Sequence, residues 1–420
     1  MTSMASVGYF KTGDDAWHMH PTVKLYEGGP YQKDFIATVV GISGEMVELD
    51  RTAFYPGGGG QDPDIGTLAG LAVTDVQNKS GAILHKVPGH NLQVGQEVKG
   101  MIDWPRRFDL MRAHTGEHLL FSSLSRLVTD LELVKIAITP AKKSFIVKGR
   151  LDWDIVLQAE TAVNQVIAAD AETEELHVAR EDPLVAESRV KLERIPGDRI
   201  RLVRIGDYDL AACAGVHVGR TSEIGMLLVE KVSSAKPAGD HEVEFKVGEE
   251  AMRRSLQLST IAQQASELYG AHPEDLLKAL RNQVEELERT KDALKRYARA
   301  WLDHLPAEKV GEVSLFAAVT RGLDRKTLSE EATKKVMTPK TACLLVDEAE
   351  RTLVVVAVSK DLVGFDANSI LQAMINEHGG KGGGNKTFAS GGLGGTGSAG
   401  SILEKGRALL IKDVAKDLPV

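Results

Sequence analysis

Two ligand pairs, far apart in the chain, constrain this sequence more than any other feature. The stretch "RAHTGEHLLFSSL" sets His114 and His118 four residues apart at the head of an apolar run, and "DLAACAGVHVGR" sets Cys213 and His217 four apart between strand-like segments. On a helix, residues i and i+4 lie one turn apart on one face, so both imidazoles can reach a single ion. Thiolate and imidazole are the donors that borderline-soft zinc prefers. If one Zn2+ per chain takes all four, the fold must bring a helix and a strand-end loop together. The small residues Ala211, Ala212, Ala214 and Gly215 would allow that approach. The alternative is that the histidines are hydrogen-bonded core residues and Cys213 a small buried apolar one.

The surrounding pattern predicts an α+β protein. "DFIATVVGI" and "EMVELDRTAF" flank a Ser43-Gly44 turn, and "TLAGLAVTDV", "AILHKV" and "QEVKGMID" follow at hairpin spacing. Residues 22–104 therefore read as a small, mostly antiparallel, barrel-like β-domain, preceded by an extension over residues 1–21. A helix begins after Trp104-Pro105 and carries Met111, His114, His118 and Phe121 on one face. The strand "SFIVKG", the helix "DIVLQAETAVNQVIAAD" and the strands "RIRLVRIG", "EIGMLLVEKV" and "HEVEFKV" complete an α+β domain at 105–249.

Residues 250–306 read as a helical linker, in which Leu280, Leu287, Leu294 and Trp301 recur every seven residues and Lys291 interrupts the seam. The seam can be satisfied within one chain or across a dimer. Residues 307–420 alternate strands and helices around a Gly-rich loop, a small α/β domain ending in a helix from about Ser398.

The net charge of −8 means that any contact with nucleic acid must use a local basic surface. Two cysteines, Cys213 and Cys343, make no disulfide framework, which points to a reducing compartment. No apolar run approaches the ~20 residues that span a bilayer, and the N-terminus has no secretory h-region. A cytoplasmic protein without membrane contact is expected.

"HTGEH" also matches the H-x-x-E-H pattern of inverzincin peptidases, in which the glutamate, here Glu117, activates water. The arbiter is "AFYPGGGGQDPDIGTL", Ala53 to Leu68. Together with "RAHTGEHLL" and "CAGVHVG", in this order, it resembles the editing domain of alanyl-tRNA synthetase and the freestanding AlaX proteins that carry the same domain. "HGGKGGGNKTFASGGLGG" resembles the glycine motif of that synthetase's C-terminal domain, so the architecture matches the long AlaX form.

The resemblance implies a trans-editing hydrolase that needs no ATP and guards translation fidelity. It would deacylate tRNA(Ala) mischarged with serine, and with glycine as a second substrate. His114, His118, Cys213 and His217 carry over as zinc-site residues, and Gly57, Gly60 and Gln61 as the substrate pocket, Gln61 orienting substrate or water. Glu117 stands where synthetases commonly have threonine; it is a candidate general base or a solvated helix residue. Gly57 stands where many freestanding editors have a threonine linked to the serine hydroxyl. Lys381, Gly382, Gly383, Gly384 and Lys386 carry over as tRNA-binding residues, with Phe388 as a stacking face; a mobile linker is the plain reading of such glycines. The linker and the C-terminal domain are the candidate surfaces for a homodimer. A complete synthetase also needs a class II activation domain, and the roughly 100 residues ahead of the histidines are too few and too β-rich for one.

Two other classes fit parts of the pattern. A zinc peptidase would use Glu117 and a downstream carboxylate ligand rather than Cys213. A non-catalytic, zinc-stabilised RNA-binding protein would keep the ligands and dispense with Gln61 and Glu117.

Overall fold

The computed structural model describes residues 21–416 apart from 196, 349–351 and 395–397; all but the last residue of the expected N-terminal extension lies outside them. The chain divides into two compact units, with the boundary after Gln263. The five-segment division of the sequence is finer than this and stands as a proposal.

The first unit opens with β1 (Val23–Lys24), β2 (Asp34–Ser43), β3 (Met46–Leu49), β4 (Arg51–Thr52), β5 (Gly66–Leu68), β6 (Leu71–Val73), β7 (Asp75–Lys79), β8 (Ala82–Lys86) and β9 (Glu97–Ile102). Seven of these form an antiparallel sheet in the order β6-β5-β9-β2-β3-β8-β7. Along β2, Phe35, Ala37 and Val39 point into the core while Asp34 and Ile36 face out, the period of two that the sequence shows. Gly44, at φ +57°, closes the expected turn into β3. The barrel stays open, because β6 is only three residues long and stands with β7 at the sheet's two edges.

Helix α1 (Trp104–Leu127) follows at once. Asp103 caps it by accepting the Arg106 N–H, and Pro105 occupies its first turn. Leu110, Met111 and every residue from Ala113 to Leu124 are buried, so α1 is the central element of the unit. Around it come β10 (Glu132–Ile138), β11 (Lys143–Lys148), α2 (Trp153–Ala168), β12 (Thr173–Ala179), α3 (Pro183–Glu187), β13 (Arg199–Ile205), β14 (Asp209–Ala212), β15 (Leu227–Ser234), β16 (Asp240–Val247) and α4 (Gly248–Tyr269). One sheet has the order β10-β11-β16-β15 and a second β12-β13-β14, both antiparallel. The sequence pattern missed β10, β12 and β14. It also began β15 too early: Thr221–Ile224 is a 3-10 turn, and Gly225 at φ +81° delays the strand to Leu227.

The second unit contains α5 (Leu276–Asp303), β17 (Glu308–Val310), β18 (Val313–Arg321), α6 (Arg325–Lys335), β19 (Thr341–Glu348), β20 (Thr352–Val358), α7 (Ala367–His378), β21 (Gly380–Gly384), β22 (Phe388–Leu393) and α8 (Ala399–Lys416). Its sheet runs β17-β18-β19-β20-β22-β21, with β18 and β19 parallel across α6. Cys343 and Leu345 face the core that includes Leu302, Leu328 and Ala332, while Leu344 and Val346 face the one built with α7 and α8. The linker is two helices, and its heptad residues Val284, Leu287, Leu294 and Trp301 remain about half exposed or more.

The expected Gly-rich loop is a hairpin, with β21 as the exposed edge strand. A Cβ at Gly382 would lie 2.4 Å from the Gly391 Cα, so the glycines let two backbones approach more closely than any side chain permits.

Candidate metal centre

The loop after β14 comes down onto α1 and joins the two ligand pairs. His114, His118 and His217 are buried, and one donor atom from each of these and from Cys213 lies within 4.8 Å of every other. The Cys213 Sγ is 3.5 Å from His114 Nε2 and 3.3 Å from His217 Nε2. Tetrahedral zinc, with donors at about 2.0–2.3 Å, has donor–donor edges of roughly 3.5 Å.

The hydrogen bonds behind the imidazoles fix how each is presented. Gln61 Oε1 accepts the Val216 N–H at 3.3 Å and lies 2.7 Å from His114 Nδ1; an amide oxygen only accepts, so that Nδ1 carries its proton. His118 Nδ1 lies 2.8 Å from Asp209 Oδ2, a carboxylate also held by Arg189 at 3.1 Å. Thr115 gives its hydroxyl proton to the Met111 carbonyl, leaving Oγ1 to accept from Val218 N and from His217 Nδ1, each at 3.2 Å. All three rings are therefore assigned a protonated Nδ1, which leaves Nε2 for an ion.

Titration follows the same logic. Burial alone would raise the Cys213 thiol, but His114, His217 and His118 around it hold it well below its ordinary value. Burial pushes His217 down to about 3. At His118 burial also works downward, yet Asp209 and Cys213 overcome it and raise the ring to about 10. A metal displaces that second proton, as ligation requires. A thiolate ringed by three Nε2 atoms, each oriented from behind, is a donor set that fits a zinc-like ion.

The loop carrying Gln61 is built into this centre rather than flexible. The Ile138 N–H donates to the Gly60 carbonyl at 2.7 Å and the Asp62 N–H to the Ile138 carbonyl at 3.0 Å, which seats the loop on β10. Gly60, at φ +89°, has no room for a side chain, since a Cβ would lie 2.6 Å from that of Ile136. Gly57, also at positive φ, turns against Pro63. Behind the loop Arg107 and Asp64, both fully buried, form an ion pair. Arg107 also donates to the Ala53 carbonyl at 2.6 Å, and Asp64 accepts the Tyr55 N–H at 2.7 Å. The first turns of α1 thus grip both ends of "AFYPGGGGQD".

Glu117 is fully buried, and neither of its carboxyl oxygens has a hydrogen-bond partner. Burial raises it, opposed by His118, Arg189 and His114. It is no solvated helix residue. The Gln61 amide nitrogen is likewise buried and without a partner. Sequence reasoning missed Asp209, Arg189, Thr115, Asp64 and Arg107, although Thr115, Asp64 and Asp209 lie inside the three stretches it singled out. Lys381, Gly382, Gly383 and Gly384 lie exposed on β21, Lys386 follows them, and Phe388 packs half-buried against the core near Leu302.

Among the described residues no helix is long and apolar enough to cross a membrane. A family profile described as the threonyl and alanyl tRNA synthetase second additional domain matches residues 200–237, which include Cys213 and His217. Another, described as tRNA synthetases class II (A), matches residues 17–106 and covers the seven-stranded sheet. The alanine–tRNA ligase of Pyrobaculum calidifontis is 33% identical over 402 residues, 88% of this chain and 42% of the ligase. The C-Ala domain of Aquifex aeolicus alanyl-tRNA synthetase aligns with 26% of this chain and 97% of that domain, at 22% identity and a TM-score of 0.23, a likeness too slight to argue from.

The chain is thus a homologue of the alanine–tRNA ligases, spanning about 42% of their length. More particularly, it resembles the alanyl-tRNA editing protein AlaX-L of Pyrococcus horikoshii, at 28% identity over 389 residues, 88% of this chain and 94% of that protein.

Proposed function

We propose that this protein is an aminoacyl-tRNA hydrolase that releases serine, and secondarily glycine, from mischarged tRNA(Ala). The observation that carries the reading is the centre itself: three imidazoles and a thiolate beside a glutamine whose amide N–H groups are unspent. His114, His118, Cys213 and His217 would hold one Zn2+, which would supply a positive charge next to the scissile ester, and Lewis acidity there once one of the four donors leaves a position open.

The chain's own groups do the rest. Gln61 spends its oxygen on His114, and its buried NH2 is the donor for the ester carbonyl as negative charge develops there. Gly57 and Gly60 let the loop that carries Gln61 pack closely against Pro63 and Ile136. Gly57 offers no hydroxyl, so recognition of the serine hydroxyl would fall to groups other than residue 57. In the second unit, Lys381, Lys386 and the outer N–H groups of β21 would contact tRNA phosphates. The exposed heptad side of α5 is the surface for a second copy.

Four protein donors on one ion make a closed set, which favours a second reading, a zinc-stabilised RNA-binding protein without turnover. Release of amino acid from tRNA(Ala) charged with serine, glycine or alanine decides between them. Multiple turnovers on serine or glycine with alanine spared support the hydrolase; stable binding of all three without release supports the binding protein.

A further inference from the structure

We infer that Glu117 holds the α-ammonium group of the aminoacyl substrate, an assignment that rests on the ester-hydrolysis reading above. A buried carboxyl with no hydrogen-bond partner at either oxygen carries a desolvation penalty that something must answer. Arg189, whose charge it feels, is already committed: its guanidinium binds Asp209 at 3.1 and 3.3 Å and lies 4.8 Å over the Phe121 ring.

The place of Glu117 on α1 narrows what the missing partner is. It lies three residues beyond His114 and so shares its side of the helix. Gln61 reaches the same ring through Nδ1, at 2.7 Å, and its own NH2 is buried and unpartnered. The unmet acceptors of Glu117 and the unmet donors of Gln61 thus both belong to side chains set about His114, the first by its place on the helix and the second by a hydrogen bond. An aminoacyl ester presents the complement, an ammonium with three N–H donors and, one carbon away, a carbonyl acceptor. The interior of a peptide has no such cation. Glu117 would also offset the repulsion between that ammonium and a divalent ion in the same pocket.

The test uses two non-hydrolysable 3′-amide analogues of the charged adenosine end. One is seryl, with its ammonium; in the other a hydroxyl replaces that ammonium. Both are titrated by calorimetry into the full-length, zinc-loaded chain as native protein, Glu117→Gln and Glu117→Asp. Zinc content and thermal melting establish that each variant is folded and loaded.

The native protein should prefer the ammonium analogue by about 10–100-fold, as a charge-assisted hydrogen bond provides. Glu117→Gln should abolish that preference and bind the hydroxyl analogue as the native protein does, while Glu117→Asp keeps part of it. A preference that survives in Glu117→Gln overturns the assignment and leaves ester hydrolysis standing; if turnover is lost with it, Glu117 acts on water instead. Equal weakening of both analogues marks a structural role and overturns it too. If native protein binds neither analogue, the editing reading falls and takes this assignment with it.

Discussion

Gly215 lies so close to His114 that a Cβ on it would sit 2.2 Å from the imidazole Cε1 and 3.0 Å from the Gln61 oxygen. The glycine is thus a packing requirement of the metal centre and of the loop that orients it. Gly215→Ala forces His114 aside at an overpacking cost of about 1–3 kcal/mol. The expected result is a folded protein with sharply reduced zinc content by elemental analysis. Full zinc occupancy would show that the centre tolerates the shift.

Asp209 orients His118 and keeps its Nδ1 proton in place. Asp209→Asn preserves size but removes the carboxylate. Zinc affinity should fall by about 10–100-fold, the usual loss when a partner behind a ligand is removed. Competition against a chromophoric chelator measures this, and an unchanged affinity would deny Asp209 that role.

His85 should make the first unit sensitive to acid. The ring is fully buried, donates from Nδ1 to the Val47 carbonyl and accepts the Thr52 hydroxyl at Nε2; burial lowers it from 6.5 to about 4. Because the folded state binds the proton less readily than the unfolded chain, this contribution is fully present above pH 6.5. It is lost as the pH falls towards 4, by about 3 kcal/mol at 1.36 kcal/mol per unit. Urea unfolding across that range should steepen in native protein and flatten in His85→Gln. Parallel curves for the two would exclude His85 as the source.

The buried Arg107–Asp64 pair should be costly to break. Removing one partner of such a pair typically costs about 3–5 kcal/mol, since it leaves a bare charge in the interior. Arg107→Met should lower the unfolding free energy by that amount, read from urea denaturation, and also weaken zinc binding, through the loop that carries Gln61. Loss of stability with zinc affinity intact would separate the pair from the site.

That His114, His118, Cys213 and His217 come together was legible from donor chemistry and motif: His114 and His118 share a helical face, and Cys213 and His217 bring a thiol and a third imidazole that the fold sets beside them. The β2–β3 hairpin and the start of α1 were legible too, through Ser43-Gly44 and Trp104-Pro105, though not the cap that Asp103 provides. Other parts had no local signature. Arg107 reads as a surface cation until the fold places Asp64 against it. Asp209 stands four residues before Cys213, but only tertiary structure shows it reaching His118. In β10, Glu132 and Lys135 interrupt the apolar run, which hides the strand on which Gly60 docks. The run from Gly380 to Gly384 reads as a loop because glycines give no alternation, although their lack of side chains is what lets β21 pair so tightly.

The most direct test of the central claim is single-turnover deacylation of Ser-tRNA(Ala), run with native protein and with His114→Ala, zinc content being measured on the same samples. The account predicts rapid serine release by the zinc-loaded native protein, retention of alanine on correctly charged tRNA, and an inert variant that has lost its metal. Release at the native rate by zinc-free His114→Ala, or no release by loaded native protein, would contradict it.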